Sequence, residues 1–276
     1  MPELPEVELV TKSLDKLVGG RTIVVAELHR ARLAPSSPPA EFAERLKNAR
    51  INKVSRRGKH ILFDLNNEQT LIAHLRMSGR FMLLPVEREN PKYTHAAFYF
   101  EDETRLVFQD QRHFGLMKLV ETANLFEAKE LKKLAPEPFS GEFNVRYFQA
   151  ILKTSKKSLK EFLLDQTKVT GLGNIYASEA MFLARANPQT PASKISAKKA
   201  KILHEKIQEV LRESIEHGST LNVDPENIDG SYYGGNYTKG WRVYDQEKKP
   251  CVSCATTIER LKQAGRSTYF CPKCQK

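Results

Sequence analysis

Residues 251–276 read CVSCATTIERLKQAGRSTYFCPKCQK. They hold the chain's four cysteines: Cys251, Cys254, Cys271 and Cys274. Each C-x2-C pair places two thiolates on one tight knuckle, and two knuckles complete a tetrahedral four-cysteine shell of the closed, structural zinc type. Two disulfides or a redox pair would use the same residues, but a disulfide framework spreads its cysteines over the fold it staples. The insert between the knuckles is long enough for a β-hairpin. Gly265 suits its turn, and Arg266 would project from the tip. From Asp245 to the end, seven Lys/Arg stand against three Asp/Glu, so Arg266 is placed to meet a phosphate, or is one solvated charge among several. Four cysteines leave the metal no open position, so its role is structural.

The chain as a whole has 276 residues and a formal net charge of +11, with 44 Lys+Arg against 33 Asp+Glu. That length suits two domains and a small third element. The charge points to a polyanionic partner, although a basic enzyme without one would have the same composition. No apolar run approaches the ~18 residues of a membrane span, and the first residues lack signal-peptide character. The expectation is a cytoplasmic protein without a membrane partner.

Upstream of the zinc piece, residues 218–243 carry five of the 14 glycines and three tyrosines. This stretch is too long for an ordinary connection and reads as a lid or a linker. Ser196 is an N-cap for a long helix with Ala200, Leu203, Ile207, Val210 and Leu211 on one face, ended by Gly218. SLKEFLLDQ and NIYASEAMFLARA predict shorter helices on either side of the turn TKVTGLGN. From about Thr22 to Val120 the pattern is different. TIVVAEL, HILFDL, TLIAHL, AAFYF and RLVFQ are short strands, and NNEQ and EDET are hairpin connections. A mostly antiparallel β-sandwich is expected there. It is preceded by a helix with Val7, Val10, Leu14, Leu17 and Val18 at helical spacing, stopped by Gly19 and Gly20.

The first eight residues, MPELPEVE, are acidic and proline-punctuated. Pro2 and Pro5 can set the helix start, with the glutamates complementing its dipole. A second role is chemical. Removal of Met1 would leave Pro2 with a free secondary amine able to attack a carbonyl-like carbon, with Glu3 beside it to move protons.

Three separated motifs, MPELPEVE, DQTKVTGLGNIYASEAMF and GRSTYFCPKCQ, resemble those of the bacterial formamidopyrimidine-DNA glycosylases, which are 8-oxoguanine DNA glycosylase/AP lyases. The resemblance spans essentially the whole chain in order. It implies an α+β protein: an N-terminal β-sandwich domain with its helix (1–135), a helix–two-turn–helix domain (136–243) with a lesion-capping loop at 218–243, and a four-cysteine zinc-finger hairpin (244–276). It implies one structural zinc ion and, as partner, double-stranded DNA carrying oxidised purines or abasic sites, handled by a monomer. It implies base excision repair: Pro2 attacks C1′ of the damaged nucleoside and forms an iminium, Glu3 donates a proton in sugar-ring opening, and the strand is cut on both sides by β,δ-elimination.

The same resemblance carries over further residues. Lys59, in RRGKHI, would bear a proton or hold a phosphate near the lesion; otherwise it is a surface lysine in a basic run. A base inside a duplex must be flipped out and its place filled. HLRMSGRF and QDQRHFG match the void-filling segments, with Met77, Arg112 and Phe114 as the wedge. By hydropathy alone Met77 and Phe114 would be core residues. His95 joins the DNA-contacting set. Asn174 would hold a phosphate together with helix N-terminal amides and Arg266, or cap its helix. Ser78 departs from relatives that carry glutamate there, which removes a direct carboxylate contact to the lesion.

Two other functions fit parts of the pattern. An endonuclease VIII-like glycosylase would share the fold and nucleophile but prefer oxidised pyrimidines. A non-catalytic binder of damaged DNA would need the basic surface and not a Pro2 amine. An RNA-binding zinc ribbon is disfavoured by the single Trp and the lack of an aromatic RNP-like strand.

Overall fold

The computed structural model describes residues 1–220 and 240–276. The lesion-capping loop expected at 218–243 therefore lies for the most part outside the described residues. Two compact units form. The first comprises Met1–Lys132 with 218–220, and the second Lys133–His217 with 240–276. Among the described residues no helix is long and apolar enough to cross a membrane.

The first unit opens with α1 (Leu4–Val18). Pro5 lies in its first turn, where a missing N–H costs nothing. Val7, Val10, Leu14 and Val18 are buried along one face, and Gly19 caps the C-terminus. There follow β1 (Thr22–Leu28), α2 (Pro39–Leu46), β2 (Ala49–Arg57), β3 (His60–Leu65), β4 (Gln69–His74), β5 (Gly79–Pro85), β6 (Thr94–Phe100), β7 (Thr104–Asp110) and β8 (Leu116–Glu121). All pairings are antiparallel, in the order β5-β7-β6-β1-β2-β3-β4-β8. Only two residue pairs join β1 to β2, so the sheet folds there into two four-stranded halves. Their inner faces share one core. Phe63 of β3 meets Phe81 of β5 edge-on at 5.5 Å, and Phe81 meets Phe108 of β7 at 5.1 Å.

The sandwich and the first helix agree with the sequence pattern, and NNEQ and EDET do form the β3–β4 and β6–β7 connections. Helix α2 was not expected. It is eight residues long and buries only Phe42 and Leu46, too few apolar positions to establish a helical period in a β-rich region.

The second unit contains α3 (Val145–Lys153), α4 (Leu159–Leu164), α5 (Asn174–Leu183), α6 (Ala197–Glu216) and the hairpin β9 (Glu259–Gln263) and β10 (Arg266–Phe270). Ser196 caps α6 by accepting the Lys199 N–H at 3.2 Å, and Gly218, at φ 77°, follows its end. The hydroxyls of Tyr176 (α5) and Ser214 (α6) lie 2.6 Å apart across the helix pair. The zinc-type hairpin packs on α5 through Phe182, Val243, Ile258 and Tyr269. Glu179 of α5, fully buried, accepts the backbone N–H groups of Arg242, Val243 and Tyr244 at 2.9 Å each. One carboxylate thus satisfies three otherwise stranded donors on the chain leading into the hairpin.

Candidate functional site

The N-terminus is built into the first unit and does not fray from it. Pro2, Glu3 and Glu6 are all buried. Glu3 is the N-cap of α1. The Glu6 carboxylate accepts the Glu3 N–H at 2.8 Å, while the Glu3 carboxylate turns to the Glu6 N–H. This is a capping box made from two acids. Glu6 does more: its second oxygen accepts the Thr220 hydroxyl at 2.8 Å and the Thr220 N–H at 3.3 Å. The sequence offered Glu6 only as a dipole partner. Its bond to Thr220, 214 positions away, has no local signal.

Lys59 sits in the two-residue turn between β2 and β3. Gly58 supplies the left-handed backbone there, at φ 59°. Arg56 fastens this turn to α1: its Nε donates to Glu8 at 2.8 Å and its Nη1 to the Gly58 carbonyl at 2.9 Å. Lys59 is buried, so it is no ordinary surface lysine. Two histidines accompany it. His60 and His74 meet edge-to-face at 4.7 Å, and His74 Nδ1 accepts the Arg76 N–H at 2.9 Å. Burial first, with Arg76 and Arg57 adding to it against the Arg57 backbone and Glu130, takes His60 down to about 4. Burial, then the electrostatic influence of His60, Arg76 and Lys59, holds His74 well below its usual value. Both are neutral near pH 7. The register of the NNEQ hairpin, which pairs Ile61 with Ala73, places these two histidines across from one another, a signal the sequence carries in the length of that turn.

Met77, Arg112 and Phe114 come together. Arg112 Nη1 approaches the Met77 sulfur at 3.4 Å, and its guanidinium lies 5.3 Å from the Phe114 ring centre. Met77 is 39% exposed and Phe114 51%. Neither is a core residue, contrary to hydropathy. Two turns carry them, and Asp110 binds the turns together. Its Oδ1 accepts from Ser78 Oγ at 2.5 Å and from the Arg112 N–H at 3.2 Å, and its Oδ2 accepts the Gly115 N–H at 2.7 Å. Burial raises the Asp110 carboxyl, but the Ser78 hydroxyl and the Gly115, Arg112 and Phe114 amides outweigh it and lower the pKa. Gly115 is required: a Cβ there would lie 2.6 Å from the Phe108 ring. His95 is buried and stacks on His113, with Nε2 3.0 Å from His113 Nδ1.

In the second unit, Asn174 is the first residue of α5, and Gly173 occupies the N-cap. The cap expected of Asn174 is therefore corrected by one position. Its Nδ2 donates to the Ser267 carbonyl at 2.9 Å, next to Arg266. Its Oδ1 is buried without a partner. Arg266 is exposed beside the hairpin tip, where Ala264 and Gly265 both have positive φ. Below Asn174 lies a residue the sequence did not single out. Lys160, fully buried, donates to the Asn174 carbonyl at 3.0 Å and to Ser178 Oγ at 2.7 Å. It places a cation at the start of α5, where the dipole is already positive.

The thiols of Cys251, Cys254, Cys271 and Cys274 converge, all sulfurs lying within 4.8 Å of one another. Two pairs are at 3.9 and 3.5 Å. A tetrahedral ion with Zn–S bonds near 2.3 Å needs sulfurs about 3.8 Å apart, so these residues fit zinc. Their closeness spreads their acidities apart. Thr256 hydrogen bonds bring Cys254 down to about 6, whereas Cys274, facing Cys254 and partly buried, is pushed up to about 12. Four thiolates so close need a cation among them. Zinc there would stabilise the two knuckles without an open coordination site.

The chain matches three sequence families in order: the formamidopyrimidine-DNA glycosylase N-terminal domain at residues 1–117, the formamidopyrimidine-DNA glycosylase H2TH domain at 134–224, and the zinc finger found in FPG and IleRS at 248–276. It is 40% identical to the formamidopyrimidine-DNA glycosylase of Lactobacillus gasseri, covering 100% of this chain and 99% of that one. The Listeria monocytogenes protein of the same name is also 40% identical, with 100% of both chains covered. Among solved structures, a complex of the Lactococcus lactis Fpg with DNA containing an abasic site superposes with a TM-score of 0.92 at 32% identity over 99% of each chain. A Lactococcus lactis FPG mutant bound to DNA containing Fapy-dG gives 0.92 at 33% over 100% of each. With three family models matched in order along the chain and 40% identity to curated relatives over its full length, the chain belongs to the formamidopyrimidine-DNA glycosylase family.

Proposed function

We propose that this protein is a DNA glycosylase of base excision repair that removes oxidised purines from duplex DNA and cleaves the resulting abasic site. The observation that carries the chemistry is the buried Pro2–Glu3 pair, its backbone held by Glu6. With Met1 removed, Pro2 is a secondary amine. It attacks C1′; the N-glycosidic bond breaks and the base leaves with its electron pair and a proton. Glu3 protonates O4′ as the sugar ring opens, and the nitrogen lone pair forms the iminium. The iminium then accepts electrons as the 2′ proton is lost and the 3′ C–O bond breaks. Elimination on the 5′ side follows, leaving phosphate ends.

Lys59 supplies a positive charge near the lesion, supported by its low exposure and by the two neighbouring histidines, which are neutral and add no competing charge. Met77 and Phe114 replace lost stacking, and Arg112 pairs with the orphaned base, supported by their joint exposure. His95 and, in the second unit, Asn174 and Arg266 hold phosphates. The sequence parts at 1–135, 136–243 and 244–276 correspond to catalysis, helical support with the capping loop, and the zinc finger. The enzyme acts as a monomer on DNA in the cytoplasm.

Borohydride trapping on a duplex with 8-oxoguanine opposite cytosine tests this. Protein lacking Met1 should give a covalent adduct that Pro2→Gly loses. No adduct on that duplex, but one on an oxidised-pyrimidine duplex, would move the substrate class. Binding without an adduct on either would leave a non-catalytic binder.

A further inference from the structure

The outer face of the β5-β7-β6-β1 half-sheet carries a groove of about 540 Å³ that contains none of the residues assigned to excision. Its floor follows from strand alternation. Leu106, Phe108, Phe98 and Phe100 point to the main core, so Tyr99 points outward beside a second apolar cluster of Met82, Leu84, Ala97 and Val107. A β-bulge between Ile23 and Val25 sets Val25 opposite Tyr99, and Val25 remains 47% exposed. The far wall is the turn after β5. Arg105 donates to the carbonyls of Val86 and Arg88 from over the Tyr99 ring, and the Val86 N–H donates to the Glu103 carbonyl at 2.9 Å. The wall is held by partly buried hydrogen bonds from Arg105, which set its shape.

Its rim is acidic. Glu27, Glu87, Glu101 and Glu103 line it, and the Arg105 cation of its wall is taken up by the Val86 and Arg88 carbonyls, in a chain of net charge +11. Glu27 is already oriented, accepting the Tyr99 hydroxyl at 3.1 Å. Such a rim repels phosphate, which excludes a nucleic-acid track. The carboxylates do not converge on a cation either: among the described residues only the four cysteines gather as a potential metal-binding group. What remains is an apolar slot with negative edges.

We propose that this groove docks a basic peptide segment of a partner protein. One aliphatic side chain seats between Val25, Val86 and Tyr99, and flanking Lys or Arg residues meet the glutamates. Apolar anchor and charged rim divide the work as in other interfaces: the anchor supplies affinity, the rim on-rate and orientation.

The test uses the full-length, zinc-loaded protein labelled with ¹⁵N and a five-residue probe peptide, leucine between two pairs of lysines, at low salt. Saturable binding below about 1 mM is expected, with amide shifts centred on residues 24–27, 86–87 and 99–103. A Glu87→Lys/Glu101→Lys variant should bind about tenfold more weakly and excise damaged bases at the unaltered rate, which shows that it folds. Serine in place of the leucine should weaken binding by a similar factor. Equal binding of the serine peptide, shifts centred elsewhere, the same shifts produced by Mg²⁺ or by duplex DNA, or no saturation would each overturn the proposal.

Discussion

Ser78 and Asp110 share a 2.5 Å hydrogen bond across 32 positions of sequence, and through it the turn bearing Met77 and the turn bearing Arg112 and Phe114 become one rigid piece. Asp110 is fully buried and accepts from Ser78 Oγ and from the N–H groups of Arg112 and Gly115. Asp110→Asn puts an amide donor against one of these donors. A loss of about 2 kcal/mol is expected, read as a lower denaturant midpoint. Base excision should fall with it, because the wedge residues lose their common support. The carboxyl's lowered pKa gives the sign with pH. Its contribution is complete above the unfolded value of about 4 and is lost as pH falls through the lower folded value. The Asn variant should lack that acid-side decline.

Arg266 and Lys160 should differ in kind. Arg266 is exposed and is proposed to hold a phosphate, so on Arg266→Ala DNA affinity should drop for all sequences and the salt slope should shrink by about 1. Lys160→Met removes no direct contact. It withdraws the ammonium from the Asn174 carbonyl and from Ser178. Affinity should fall by roughly fivefold, in line with a helix-terminus charge effect of about 1 kcal/mol, with the salt slope unchanged. Fluorescence anisotropy at several salt concentrations separates the two.

Chelation should unfold the hairpin selectively. Atomic absorption is expected to give one zinc per chain, and Cys271→Ser should lower it. Removing the ion leaves converging thiols in the cluster that packs on α5. Loss of β9–β10 amide protection, with the first unit's protection intact, is the expected hydrogen-exchange result.

His60 makes the first unit sensitive to mild acid. Its folded pKa of about 4 lies below the ordinary 6.5. A depressed histidine favours the folded state fully above 6.5, and that advantage is lost as pH falls from 6.5 toward 4. The shift corresponds to about 3 kcal/mol at most. His74, edge-on to it, shifts in the same direction and adds to the same acid-side decline. Urea midpoints measured from about pH 7.5 to about pH 4.5 should decline steadily, and His60→Gln should flatten that slope.

Much of the architecture was legible because it rests on local rules. Short β-branched or aromatic runs between polar turns marked β1, β3, β4, β6 and β7, and Ser196 and Gly218 bracketed α6. C-x2-C twice over marked the metal cluster. Helix α2 escaped because two buried side chains make no period. Met77 and Phe114 were legible only by resemblance, since hydropathy places both in a core and the structure exposes both.

The residues that position the site were less visible, because each acts on a partner remote in sequence. Glu6 reaches Thr220, Asp110 reaches Ser78, Glu179 reaches 242–244, and Lys160 reaches Asn174. The sequence by itself supplied the candidate groups: a proline at position 2 beside a glutamate, a lysine matched by resemblance, and four thiols at zinc spacing. Tertiary structure alone decided which polar groups were buried and what they bound. The physical reason is that a buried carboxylate or ammonium is stable only where folding supplies its partners, and neither periodicity nor spacing records which distant backbone or side-chain group that will be.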